Sequence, residues 1–163
     1  MYITFEEYSE LYDPMDEKLF NSLAFDACRV MDVHTTGIDN VKKLKKYPPE
    51  GDDALVVKHC AAKIVNLLHQ IHQAEISAME SRGYESTETG MRGKVISSVT
   101  AGNESISYAT GNSSSTAIDA AVKDRSARAK MLADTVWDYL RGVQDANGVN
   151  LLYMGMYPRR YLC

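Results

Sequence analysis

The sequence predicts a mainly α-helical fold: a helical bundle with an inserted β-hairpin and an extended C-terminal tail. Three observations predict it. Apolar residues recur at helical spacing through most of the chain. Capping residues stand where those stretches begin. One long stretch, 83–115, gives up the helical pattern for Gly, Ser, Thr and Asn. A chain of 163 residues supports one domain. It divides into helices over 1–82, a polar insert over 83–115, a last helix over 116–142 and an interaction tail over 143–163.

Thr4 to Glu7 reads TFEE, a capping box that starts a short helix with Phe5, Tyr8 and Leu11 on its apolar side. Asp13-Pro14 then reads as an N-cap followed by proline at the first helical position. The helix it opens carries Leu19, Phe20, Leu23, Ala27, Val30 and Met31 on one face and ends near His34. A lysine-rich piece over 38–47 is stopped by Pro48-Pro49. The longest helix runs over 53–82, with Asp52 as its N-cap and Gly83 as its stop. It would be about 45 Å long if unbroken.

The insert follows. Two β-branched and aromatic stretches, 94–99 and 104–108, flank the turn Ala101-Gly102-Asn103 and read as a hairpin. Most loops in a compact domain are far shorter. A lone two-stranded hairpin is marginal in water, so this one needs a neighbour to stay ordered. The last helix is expected as one piece, with Ile118, Val122, Arg125, Leu132, Val136, Tyr139 and Leu140 in a stripe that Met131 and Trp137 widen. Gly142 ends it. The tail, with LLYMGMYPRRYL, is apolar, aromatic and basic, and Gly155 and Pro158 forbid a long helix there.

Composition is that of a globular protein, 45% hydrophobic and 25% charged. A net charge of −4 argues against gripping nucleic acid with the whole surface. Cys28, Cys60 and Cys163 are odd in number and without CxxC spacing, so they read as free thiols in a reducing compartment. Neither a secretory signal nor an apolar run long enough for a membrane span is read.

Candidate chemistry is sparse. His69, His72 and Glu75 are spaced three apart on the longest helix and could offer two imidazoles and a carboxylate to a metal. No HExxH or cysteine partner accompanies them, so a solvated or interface pair is the plainer reading. Neither a nucleophile motif nor a phosphate-binding glycine loop is found. No catalytic residue, metal or cofactor is therefore expected. Lys42, Lys43, Lys45 and Lys46 suit either phosphate, an acidic partner or a solvated face. Arg159 and Arg160 beside Tyr157 and Tyr161 suit either an interface or a tail folded back on its own bundle.

With these parts in order, the chain resembles the head–tail connector (adaptor or head-completion) proteins of long-tailed bacteriophages. YSELYDPMDEKLFNSLAFDACRVMDVHT, SSVTAGNESISYATG and WDYLRGVQDANGVNLLYMGMYP carry the resemblance, above all Ser105-Ile106-Ser107-Tyr108 in the insert. The tail is longer than a minimal connector needs. The resemblance implies a structural virion protein that assembles in the host cytoplasm into a ring, usually of twelve subunits, under the portal protein at the phage neck. Such a ring extends the DNA channel and receives the next neck or tail-completion protein. It implies proximity to genomic DNA and no membrane partner. Lys94, Val95, Ile96, Val99, Asn103, Glu104, Ile106 and Tyr108 would form the hairpin that meets the lumen or a neighbouring subunit. Leu151, Leu152, Tyr153, Met154, Tyr157, Arg159, Arg160 and Tyr161 would dock the tail on the portal or an adjoining subunit. The alternatives are another neck or tail-completion protein, or a small helical nucleic-acid-binding or regulatory module using the lysine cluster.

Overall fold

The computed structural model describes residues 1–13, 15–46, 51–81, 84–87, 90–93 and 116–156. Over them the chain is mainly helical: α1 (Phe5–Ser9), α2 (Glu17–Thr35), a 3-10 turn (Lys43–Lys46), α3 (Asp52–Ser81), α4 (Ala117–Lys123) and α5 (Arg125–Leu140). A short antiparallel ribbon joins β1 (Tyr84–Thr87) to β2 (Gly90–Gly93), with Tyr84 opposite Gly93 and Thr87 opposite Gly90. The strands expected over 94–99 and 104–108 lie outside the described residues.

Two compact units form. The first comprises Met1–His69 with Ala129–Cys163, and the second Gln70–Arg128. In the first unit Phe20, Ala24, Ala27 and Met31 of α2 are buried, as are Val57, Cys60, Ala61, Ile64 and Val65 of α3. Leu132, Val136 and Leu140 of α5 are buried too, four apart on one helical face. An aromatic cluster joins α1 to α2: the Phe20 ring lies 5.4 Å from both Phe5 and Tyr8, and Tyr8 stacks on Tyr12. Lys58 on α3 holds Glu7 on α1 at 2.6 Å. That ion pair and the Thr4 backbone keep the Glu7 carboxyl below the usual carboxylate range.

Local chemistry sets the helix starts. The Thr4 hydroxyl accepts the Glu7 N–H while the Glu7 carboxylate accepts the Thr4 N–H, so the capping box forms as read. For α2 the expected cap, Asp13, is replaced by Asp16, whose carboxylate accepts the Leu19 N–H at 3.1 Å. Asp52 is the first residue of α3 rather than its cap, and Gly51 precedes it with φ +103°.

The last helix is two helices, not one. Asp124 leaves the helical conformation, with φ −129° and ψ 118°. Its N–H still bonds the Ala120 carbonyl, while its carboxylate accepts the Ser126 N–H at 2.8 Å. Aspartate competes well for helix N-termini, and here it ends α4 and starts α5. The break also removes Arg125 from the apolar stripe: Arg125 is exposed. At the start of α4, Thr116 and Asp119 make a second reciprocal capping box.

Candidate interaction surface

In the first unit the α2–α3 connection is tied to the residues after α5 by several backbone and side-chain contacts. Gly142, at φ +100°, ends α5. The chain then doubles back: Asp145 accepts the Asn147 and Val149 N–H groups, each at 2.9 Å, and Gly148 sits at φ +75°. The bridge Gln144–Asn150 and the bond from Leu151 N–H to the Val143 carbonyl close the turn. It places Val143, Leu151 and Leu152 in the core.

This corrects part of the tail expectation. Leu151 and Leu152 are buried in the core of their own chain, so their apolar surface is already covered and cannot dock on another protein. Tyr153 and Met154 are exposed, as is Met156. Tyr157, Arg159, Arg160 and Tyr161 lie outside the described residues, as do Lys94, Val95, Ile96, Val99, Asn103, Glu104, Ile106 and Tyr108.

The backbone at 153–155 is held by the α2–α3 connection. The Ile38 N–H bonds the Met154 carbonyl at 3.2 Å. Gly37 passes so close to the Gly155 carbonyl that a Cβ there would lie 2.6 Å from the oxygen. Lys43 turns inward, 1% exposed, donates from Nζ to the Tyr153 carbonyl and sits 5.8 Å from the Tyr153 ring centre. Burial pulls the Lys43 amine below the usual lysine range, against the opposing pull of Asp39 and Asp145. Lys43 thus leaves the solvated cluster read from sequence and becomes an internal fastener. Its neighbour Lys42 stays outside and pairs with Asp32 at 3.2 Å. Asp32 also accepts the Tyr2 hydroxyl at 2.5 Å.

The result is a backbone fixed from beneath with apolar side chains outside. Ile38, Tyr153, Met154 and Met156 are all exposed beside this junction. On α2, Phe25 and Val33 are exposed as well, on one helical face with Arg29 between them. On α5 the exposed large side chain is Trp137, which sequence periodicity had assigned to the buried stripe.

The metal reading gains nothing. The Glu75 carboxylate is taken by Arg128, and among the described residues no group of three or more His, Cys, Asp or Glu side chains could hold a metal ion. Burial raises both described thiols, Cys60 to about 12, which favours their protonated form. No described helix is long and apolar enough to cross a membrane. Comparison with known proteins gives no matching family model, no similar curated protein and no similar solved structure.

One of these features had a sequence signal. Asn147-Gly148 between Val143 and Leu151 is a turn dipeptide between apolar residues, which foretells the fold-back. Gly37 has no neighbour in sequence that announces its close approach to Gly155, and the inward turn of Lys43 has no local signal either.

Proposed function

We propose that this chain is a non-enzymatic assembly protein of a phage virion, a head–tail connector that adds copies of itself into a ring under the portal. The observation that carries the reading is the cluster of exposed Ile38, Tyr153, Met154 and Met156 on a backbone pinned by Lys43. Exposed apolar groups gathered at one place favour a protein partner. Methionines and a tyrosine on such a surface adapt to a large contact area. The net charge of −4 suits a channel wall past which DNA must slide, because strong phosphate contacts would hold it. The inward turn of Lys43 weakens the lysine cluster as a nucleic-acid grip, so the DNA-binding module is the poorer reading.

In this proposal the helices build the subunit, the hairpin over 94–108 meets the lumen or a neighbour, and the residues from Tyr153 onward meet the portal. The test is imaging of the full chain mixed with its portal protein. A collar of regular rotational symmetry on the portal is expected. Absence of any association at micromolar concentrations overturns the proposal. A second arm removes residues 157–163, which spares the buried Leu151 and Leu152. Unchanged portal binding by that variant removes the docking role from the tail's last residues.

A further inference from the structure

We infer that Asn147 is a site of spontaneous covalent modification, the loss of its side-chain amide, and that Asp145 governs the rate. The inference is independent of the ring reading. Of the asparagines in the chain, Asn147 alone is followed by glycine. Asn147 and Gly148 are both exposed at the tip of the fold-back after α5. Gly148 stands at φ +75° and has no Cβ to crowd its nitrogen. An exposed carboxamide beside an uncrowded backbone nitrogen favours attack of the one on the other.

The chemistry uses only the chain and water. The Gly148 nitrogen, once it has given up its proton, bonds to the Asn147 side-chain carbon Cγ. The C–N bond of the carboxamide breaks and ammonia leaves, so a five-membered succinimide remains. Water then opens the ring at either carbonyl. Opening at Cγ leaves aspartate. Opening at the main-chain carbonyl leaves isoaspartate, with one extra carbon in the backbone. Nothing is oxidised or reduced.

The turn holds the attacking nitrogen back. Three consecutive N–H groups converge on Asp145. Those of Asn147 and Val149 donate to its carboxylate and that of Gly148 to its main-chain carbonyl, each at 2.9 Å. The middle one is the nucleophile. Its proton is held by an acceptor, and losing that proton would set a negative charge beside a carboxylate that is itself buried. The reaction therefore requires the turn to open. Ala146, Asn147 and Gly148 are all exposed, so opening the tip uncovers little and is a local event.

The products resist closing again. Both add a carboxylate next to Asp145, and isoaspartate lengthens the loop that the Gln144–Asn150 bridge closes. The same register makes the bond from Leu151 N–H to the Val143 carbonyl, which keeps Leu151 in the core. One amide lost at the surface thus loosens a core segment.

The experiment ages the full chain in mildly alkaline water enriched in heavy oxygen, both folded and in guanidinium, and analyses its peptides by mass spectrometry. Heavy oxygen should enter Asn147 before Asn21, Asn40, Asn66 or Asn150, and should appear as both aspartate and isoaspartate. The folded chain should convert about 10–100-fold more slowly than the denatured one. Asp145→Ala should remove most of that difference. Asp145→Asn, which keeps an acceptor oxygen without the charge, should remove part of it. If Asp145→Ala fails to fold, the wild type decides: conversion at Asn147 and amide exchange at Gly148 should accelerate in parallel at guanidinium concentrations too low to unfold the chain. The aged isoaspartate form should exchange the Leu151 amide faster, and an unchanged Leu151 amide overturns the loosening. Equal rates in the folded and denatured chain, or exchange that accelerates without conversion, overturn the gate at Asp145. A folded chain that is unconverted after about a hundred denatured half-times, or that changes first at another asparagine, overturns the site.

Discussion

The guanidinium of Arg128, in the first turn of α5, holds the carboxylate of Glu75 on α3. Its Nε–H also bonds the Ala121 carbonyl near the end of α4, at 3.1 Å. One side chain thus ties three helices of the second unit and spans, in sequence, the whole insert. Both partners are about one-third exposed, so the ion pair itself is weak, and the bond to a helix-terminal carbonyl carries more of the effect. Arg128→Ala is expected to cost about 1–2 kcal/mol. The loss should be local. Amide exchange should accelerate across Ala117–Lys123 and stay unchanged at the buried positions of α2.

Lys43 makes stability depend on pH in a direction opposite to the common lysine case. Its amine is held below the unfolded value, so the unfolded chain binds the proton more tightly. The charge therefore opposes folding at neutral pH, and that opposition fades as pH rises through the folded value toward the ordinary lysine range near 10.5. Lys43→Met lacks the titration. Denaturant unfolding of both proteins should show the wild type gaining on the variant between pH 7 and pH 10. A constant difference would show that the amine is not depressed. Amide exchange should also show faster opening of residues 153–155 in the variant, because the Tyr153 carbonyl loses its donor.

Tyr8 is fully buried, yet its hydroxyl has no hydrogen-bond partner among the described residues. A buried, unpaired hydroxyl is a cost that phenylalanine avoids while keeping the ring contacts to Phe20 and Tyr12. Tyr8→Phe is expected to raise stability by about 1 kcal/mol. In calorimetry that is a rise in Tm of about 2–4 °C. A fall of similar size would mean that the hydroxyl is satisfied.

Cys60 should be chemically silent in the folded protein. With its pKa pushed up to about 12, it holds a thiolate fraction about a thousandfold below that of an ordinary cysteine at pH 8. Iodoacetamide labelling followed by peptide mass spectrometry should show Cys60 modified only as fast as the protein unfolds. The linkage runs with the sign of a raised acid. The contribution to stability is whole below about pH 8.5, where the unfolded thiol begins to ionise, and is lost as pH rises toward 12.

The helices were legible because their signals are local. Thr4 and Glu7 form the capping box from side chains three residues apart, and Leu132, Val136 and Leu140 repeat on one face of α5. Boundaries were less legible where two residues compete for one role. Asp13 and Asp16 are equally good caps in isolation, and Asp124 inside an apparently continuous stripe gives no warning that it will break it. The junction was least legible because it depends on groups far apart in sequence. Lys43 and Tyr153 are 110 residues apart, and nothing around either specifies that they meet. Trp137 illustrates the reverse error: helical spacing places it near the apolar stripe, but its side of α5 faces outward.

The break at Asp124 has a consequence for how this chain tolerates change. α5 starts from a cap of its own, so its rotational phase is set at Asp124 and not inherited from α4. Residues could be gained or lost within Ala117–Lys123 without turning Leu132, Val136 and Leu140 away from the core. Had 116–141 been a single helix, each such change would have rotated everything after it by about 100° per residue. Asp124 acts as a firewall: a change of length in α4 stops at one aspartate, and the helix behind it keeps its phase.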